Sequence, residues 1–198
     1  MILTDIGEIG ITVDGQRYIL RPSLFCMTQL GDPEEIVRVY ASVMHDQPHP
    51  IQFFDALAVV YACSDDDLSH VYGYIDENGE YVKGLAPESD VLPLARCLLK
   101  HGIIGDYDPL PQPEHEPKQY VSSFNARDHV ALAMAHLGMS SKEAWSITMT
   151  ELVGALRAKF PQAEIEAKKN AERYPDQDSL ASLMAYHDEV IRQEKAHG

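Results

Sequence analysis

Two cysteines and two histidines come closest to a spacing that could do chemistry. Cys97 and His101 lie four residues apart on one predicted helix, so both reach the same side. Cys63 and His70 would complete a Cys2His2 set for zinc if the two segments met. Against this, six residues between Cys63 and His70 is not a zinc-knuckle spacing, and cysteine is among the residue types most often buried. Core cysteines and a histidine near a helix C-terminus are the reading that outweighs zinc, and no cofactor is expected.

Asp65, Asp66 and Asp67, with Ser69 and Asp76, invite a calcium loop. The EF-hand spacing fails there, because His70 stands where glycine must turn the chain and Asp76 where a bidentate Glu is needed. A cap or plain surface acid explains the run better. His129 and His136 are seven apart on one helix, but no HExxH pattern joins them. Neither GxSxG, GxxxxGK followed by Ser or Thr, nor GxGxxG occurs. No catalytic residue is predicted, and the chain reads as a non-enzyme.

The elements that would position these groups follow from local pattern. Ile9, Ile11 and Val13 alternate with small or polar residues up to Asp14-Gly15, after which Tyr18 and Leu20 alternate again and Pro22 ends the run. That is a β-hairpin signal, since both turn positions must accept positive φ. Ser23 to Leu30 is a short apolar helix closed by Gly31. Asp32-Pro33-Glu34-Glu35 opens the next helix with a capping carboxylate, a proline at the first position and acids at the positive dipole end. Pro48-His49-Pro50 breaks it, and Ile51 to Cys63 forms a helix too apolar to be exposed all round. Val71 to Val82 reads as a second small hairpin around Asp-Glu-Asn-Gly. Ser89 or Asp90 starts a helix that Gly102 is expected to end as a C′ glycine.

Residues 106–120 hold four prolines and almost no large apolar side chain, which predicts a linker. Beyond it, Ser123 or Asn125 caps a helix ended by Gly138, a very short helix covers about Ser141 to Ile147, and Thr148 lies three before Glu151 in capping-box spacing. The expected fold is α+β, mostly α-helical: an N-terminal α+β domain over 1–105, the linker over 106–120, a C-terminal helical unit over 121–161 and a charged helical tail over 162–198.

Composition narrows the function classes. The 198 residues carry a net charge of −15, which opposes binding to nucleic acid phosphates and to anionic membrane surfaces and fits a basic partner or simple solubility. The three cysteines, Cys26, Cys63 and Cys97, form no CxxC pair and no even framework of disulfides. The opening MILTDIGEIG has acids where a secretory signal has a basic region, and no apolar run approaches a membrane span. A cytoplasmic protein with reduced thiols is expected.

Two stretches resemble a known family. Residues 7–31, GEIGITVDGQRYILRPSLFCMTQLG, are similar to the opening of tail assembly chaperones from long-tailed, lambdoid-type bacteriophages. Residues 136–161, HLGMSSKEAWSITMTELVGALRAKFP, are similar to the C-terminal unit of the same proteins. The SDDD and LLKHGIIG segments resemble an uncharacterised family encoded beside prophage tail genes, whereas residues from Gln162 onward match no shared pattern.

The resemblance implies a protein that coats the tape measure protein, with tail tube protein as a further partner and possible self-association. It further implies a place in the host bacterial cytoplasm and absence from the mature virion. In relatives a frameshift makes a longer form that recruits tube subunits. A structural virion protein, such as a tail-completion or connector subunit, is the alternative. A holdase needs apolar patches at helical spacing, and the expected contact residues are Met134, Met139, Trp145, Met149, Leu152 and Leu156, with Leu180, Leu183 and Met184 in the tail. Methionine suits such a surface because it repacks easily, while burial in a C-terminal core is the plainer reading of each residue taken singly.

Overall fold

The computed structural model describes residues 2–108 and 121–162. Its architecture is mixed α+β and dominated by helices. Strands β1 (Ile9–Val13) and β2 (Gln16–Leu20) pair antiparallel with Ile9 opposite Leu20 and Val13 opposite Gln16. The two-residue turn takes φ 50° at Asp14 and 77° at Gly15, the left-handed pair that matches the strand twist. Alternation then sorts β2 into buried Tyr18 and Leu20 and outward Arg17 and Ile19.

Helix α1 (Leu24–Met27) is capped by Ser23, whose hydroxyl accepts from the N–H of Cys26. A tight turn over Thr28–Leu30 leads to Gly31 at φ 134°. Helix α2 (Pro33–Met44) begins with the expected capping box, the Asp32 carboxylate accepting from Glu34 and Glu35 while Glu35 returns to the N–H of Asp32. Helix α3 (Gln52–Ala62) and helix α5 (Val91–Leu99) make the most extensive helix pair. Ala56, Val59, Val60 and Cys63 of one face Val91, Ala95, Leu98 and Leu99 of the other, all buried at helical spacing. Each fully buried Leu or Val there stabilises by roughly 1.5–3 kcal/mol relative to exposure.

The second hairpin is smaller than its sequence suggests. Val71 and Tyr72 belong to a one-turn helix, α4 (Ser69–Tyr72), and only β3 (Tyr74–Ile75) and β4 (Tyr81–Val82) pair. The Asp67 carboxylate caps α4 by accepting from the N–H and hydroxyl of Ser69, and Asp76 accepts from the N–H groups of Asn78 and Glu80 inside the turn. These local bonds hold both carboxyls below the usual range, and they give Asp67 and Asp76 of the calcium set a local structural role.

Gly102 does not end α5. A π-helical stretch, Lys100–Ile104, continues it, and Gly105 at φ 86° makes the stop. Gly102 serves instead as a close approach: a Cβ there would lie 2.7 Å from Sδ of Met27. Helix α6 (Ala126–Leu132) is likewise followed by a π stretch, Ala133–Leu137, ended by Gly138 at φ 70°. Helix α7 (Ser141–Ser146) starts with a capping box between Ser140 and Glu143, and helix α8 (Met149–Lys159) with one between Thr148 and Glu151.

The expected division at residues 106–120 requires correction. The chain forms two compact units, Met1–Tyr107 with Tyr120–Leu156, and Asp108–Gln119 with Arg157–Gly198. Helices α6 and α7 and most of α8 therefore share the core of the first unit. Backbone bonds close it: Phe124 N–H to the Pro33 carbonyl at 2.8 Å, Leu24 N–H to the Ile147 carbonyl at 2.9 Å, and a bridge between Ser23 and Thr148. In the second unit, the Arg157 guanidinium donates to the carbonyl of Asp108. The predicted tail over 162–198 lies, save its first residue, outside the described residues. No described helix is long and apolar enough to cross a membrane.

Candidate functional site: a cation-lined groove

The first unit carries an open groove of about 1260 Å³. Its first wall is the outward face of β2 and the start of α1: alternation puts Arg17, Ile19 and Arg21 on one side, followed by Phe25 and Cys26. The opposite wall is Asn125 to Arg127 at the start of α6, together with Lys142, Trp145 and Ser146, which share one face of α7. Cys63, Asp65 and Asp66 line it as well, from the end of α3 and the loop after it. The backbone bonds that join residues 23–24 to residues 147–148 hold the first wall against the helical one.

Arg21 is the fixed point of this arrangement. One guanidinium nitrogen pairs with Glu8, the second donates to Glu151 at 2.8 Å, and Nε donates to the Ser146 carbonyl at 3.1 Å. It thus ties the hairpin to α7 and α8. Burial alone would push the Glu8 carboxyl up, but the N–H of Leu3 and the Arg21 charge outweigh it and hold Glu8 below the usual carboxylate range.

The other three cations are unengaged. The side chains of Arg17, Arg127 and Lys142 make no hydrogen bond or ion pair with the described residues. The lining holds four of the chain's 16 basic residues and two of its 31 acidic ones, which inverts the overall balance. Apolar surface accompanies the charge: Phe25 is 55% exposed and Ile19 42%. Phe25 meets Trp145 edge to face at 6.5 Å, and the Trp145 indole N–H has no acceptor among the described residues.

Nucleophilic chemistry finds little support in the lining. No histidine is part of it. Burial, reinforced by the neighbouring Cys26, pushes the Cys63 thiol up, away from the reactive thiolate.

The zinc set does not assemble. Cys63 is buried at the groove, Cys97 is exposed, His70 is exposed, and His101 is buried with Nδ1 2.9 Å from the Thr150 hydroxyl. Among the described residues no group of three or more His, Cys, Asp or Glu side chains could hold a metal ion. The expected docking residues also separate. Met149 and Leu152 are core, at 4% and 1% exposure, because α8 turns that face onto the body of its own unit, so they are not a contact surface. Met139 and Leu156 pack half-buried against the same core, Met134 is exposed, and Trp145 alone of the set lines the groove. Leu180, Leu183 and Met184 lie outside the described residues.

Sequence reasoning missed Arg17, Ile19, Arg21, Phe25, Arg127 and Lys142. A signal existed for the first three, since the alternation that buries Tyr18 and Leu20 also aligns Arg17, Ile19 and Arg21 on the other face.

Fold and groove together define a helix-dominated α+β protein with an open, cation-lined surface groove. The chain belongs to a family described as one of unknown function, DUF6246, which matches residues 50–176. The matched range includes the helical wall and the loop with Asp65 and Asp66, while the β2 and α1 wall precedes it. No curated protein matches the chain, and no solved structure does.

Proposed function

We propose that the protein is a non-enzymatic assembly chaperone of the phage tail type, which holds a segment of the tape measure protein in the groove. Tail tube subunits would be a second client. One observation carries this reading: of the two stretches that resemble tail assembly chaperones, residues 7–31 supply the first wall of the groove, and residues 136–161 supply Lys142, Trp145 and Ser146 of the wall opposite. Neither stretch alone offers a surface, and the bonds between Leu24 and Ile147 and between Ser23 and Thr148 join them. Size supports the same reading. About 1260 Å³ exceeds the roughly 300–1,000 Å³ of small-molecule sites and suits a polypeptide segment.

Co-expression with the tape measure protein of a neighbouring gene tests it. The expected result is a complex that co-purifies and a tape measure that precipitates without this chain. A tape measure equally soluble alone refutes the reading. Copies of the protein in purified particles, detected by mass spectrometry, would favour a tail-completion or connector subunit instead.

A further inference from the structure

We infer that the groove takes an acidic segment of a partner polypeptide, with an apolar or aromatic side chain set between its carboxylates. The inference rests on the reading of the groove as a protein-binding site and names the chemistry of its occupant. Charge complementarity is the first ground. Arg17, Arg127 and Lys142 are three cations with no side-chain partner among the described residues, in a chain of net charge −15, placed where acids are scarce. A cation that pairs with none of the described residues gains most from a carboxylate brought to it.

The apolar ground is independent of charge. Phe25 and Ile19 stand exposed in the same lining as those cations, and Trp145 meets Phe25 with an N–H donor that has no acceptor among the described residues. An aromatic pair with a polar tip is the usual anchor of a protein-binding hot spot. Asp65 and Asp66 in the lining add a constraint. They repel a continuous polyanion, whereas a peptide can offer them backbone N–H groups, so a polypeptide is favoured over nucleic acid.

The experiment uses the full chain and a set of fluorescein-labelled 15-residue peptides of one amphipathic sequence. One carries Asp and Glu around a central Leu-Phe anchor, a second has these acids changed to Asn and Gln, and a third has them changed to Lys. Binding is read by anisotropy, and, with unlabelled peptide, by the emission of Trp145, the single tryptophan. The acidic peptide is expected to bind and shift the Trp145 emission, the neutral one to bind at least about tenfold more weakly, and the basic one not to bind.

An exposed ion pair contributes up to roughly fivefold in affinity. Reversing two charges removes two such pairs and adds repulsion in their place, so the double variant R127E/K142E should lose about tenfold for the acidic peptide and gain affinity for the basic one. That exchange of preference separates a charge effect from misfolding. Equal binding of acidic and neutral peptides overturns the inference. So does an unshifted preference in the double variant, tighter binding of a 15-nucleotide single strand, or occupation of the groove by a second copy that blocks every peptide.

Failure here and failure of the chaperone reading are distinguishable. If R127E/K142E still co-purifies with the tape measure while no acidic peptide binds, the groove chemistry is wrong and the chaperone reading stands. If the acidic peptide binds but no tape measure co-purifies, the reverse holds.

Discussion

Replacing Arg21 by Ala removes, in one step, an ion pair to Glu8 at the base of the hairpin, and the ion pair and main-chain carbonyl bond that connect the hairpin to two helices. Hydrogen bonds to charged groups contribute about 1.5–3 kcal/mol each when well buried. The Arg21 side chain is 31% exposed and that of Glu151 28%, so water recovers part of this. Both glutamates also keep a main-chain donor, Leu3 for Glu8 and Thr148 for Glu151. The net loss is then about 2–3 kcal/mol, mostly from two carboxylates left without the cation they share. With a urea slope of roughly 2 kcal/mol/M, the unfolding midpoint should fall by about 1 M or more.

Arg21→Lys should recover only part of the loss, because an ammonium cannot fork to both acids and the carbonyl. The pH dependence gives a second handle. Glu8 is held below its ordinary 4.5, so its contribution is fully present above that value and disappears as pH falls through the lower folded value. The stability gap between wild type and R21A should shrink between pH 6 and pH 3. A gap that stays constant, or a midpoint shift under about 0.3 M at pH 7, would refute the account of Arg21 as a clamp.

Two glycines separate conformational strain from collision. Gly7 and Gly15 have φ of 91° and 77°, but a Cβ at Gly7 would lie 2.4 Å from Cβ of His101, while one at Gly15 meets nothing within 4 Å. Gly15→Ala should cost about 1 kcal/mol in urea unfolding and Gly7→Ala at least twice that; equal losses would contradict the contact with His101. Leu152→Ala should cost about 2–5 kcal/mol and Met134→Ala under about 0.5, which thermal unfolding distinguishes, and a reversed order would restore Leu152 as a surface residue. Burial lowers the His101 pKa, Lys100 in the same sense and Asp106 opposing, and burial also lowers that of His129, opposed by Asp128. The unfolded chain therefore takes up these protons first, and the urea midpoint should decline as pH drops below about 6.5. Flat stability between pH 7 and 5.5 would exclude both histidines as the cause.

Features set by residues within four positions of one another were legible in the sequence. Asp14-Gly15, Asp32 with Glu35, and Thr148 with Glu151 each carry their own geometry, and the hairpin and both caps stand where that chemistry requires. Pairings across the chain were not. The proline-rich composition of 106–120 marks a connection but says nothing of where the flanking helices go, and the bonds joining Leu24 to Ile147 decide that. The two π stretches were hidden because apolar spacing near 3.6 does not reveal a single slip to i→i+5 bonding. Met149 and Leu152 show the limit most clearly. Apolar residues at helical spacing announce that a face is covered, and only the fold tells whether its own chain or another covers it.

The groove is not legible in the sequence for a related reason: its cations come from residues 17, 127 and 142, which no window of sequence unites. The whole-chain charge pointed to a basic partner, and the local lining points the other way, yet both can act on the same ligand at different ranges. Beyond about 8–10 Å in physiological salt the body's charge is screened, and closer in the lining dominates. A long polyanion meets the acidic body along much of its length and is repelled. A short acidic segment with an apolar anchor places its carboxylates only where Arg17, Arg127 and Lys142 stand. An acidic body around a basic groove thus discriminates by ligand length and by apolar content as well as by sign, a selectivity that a uniformly basic protein would lack.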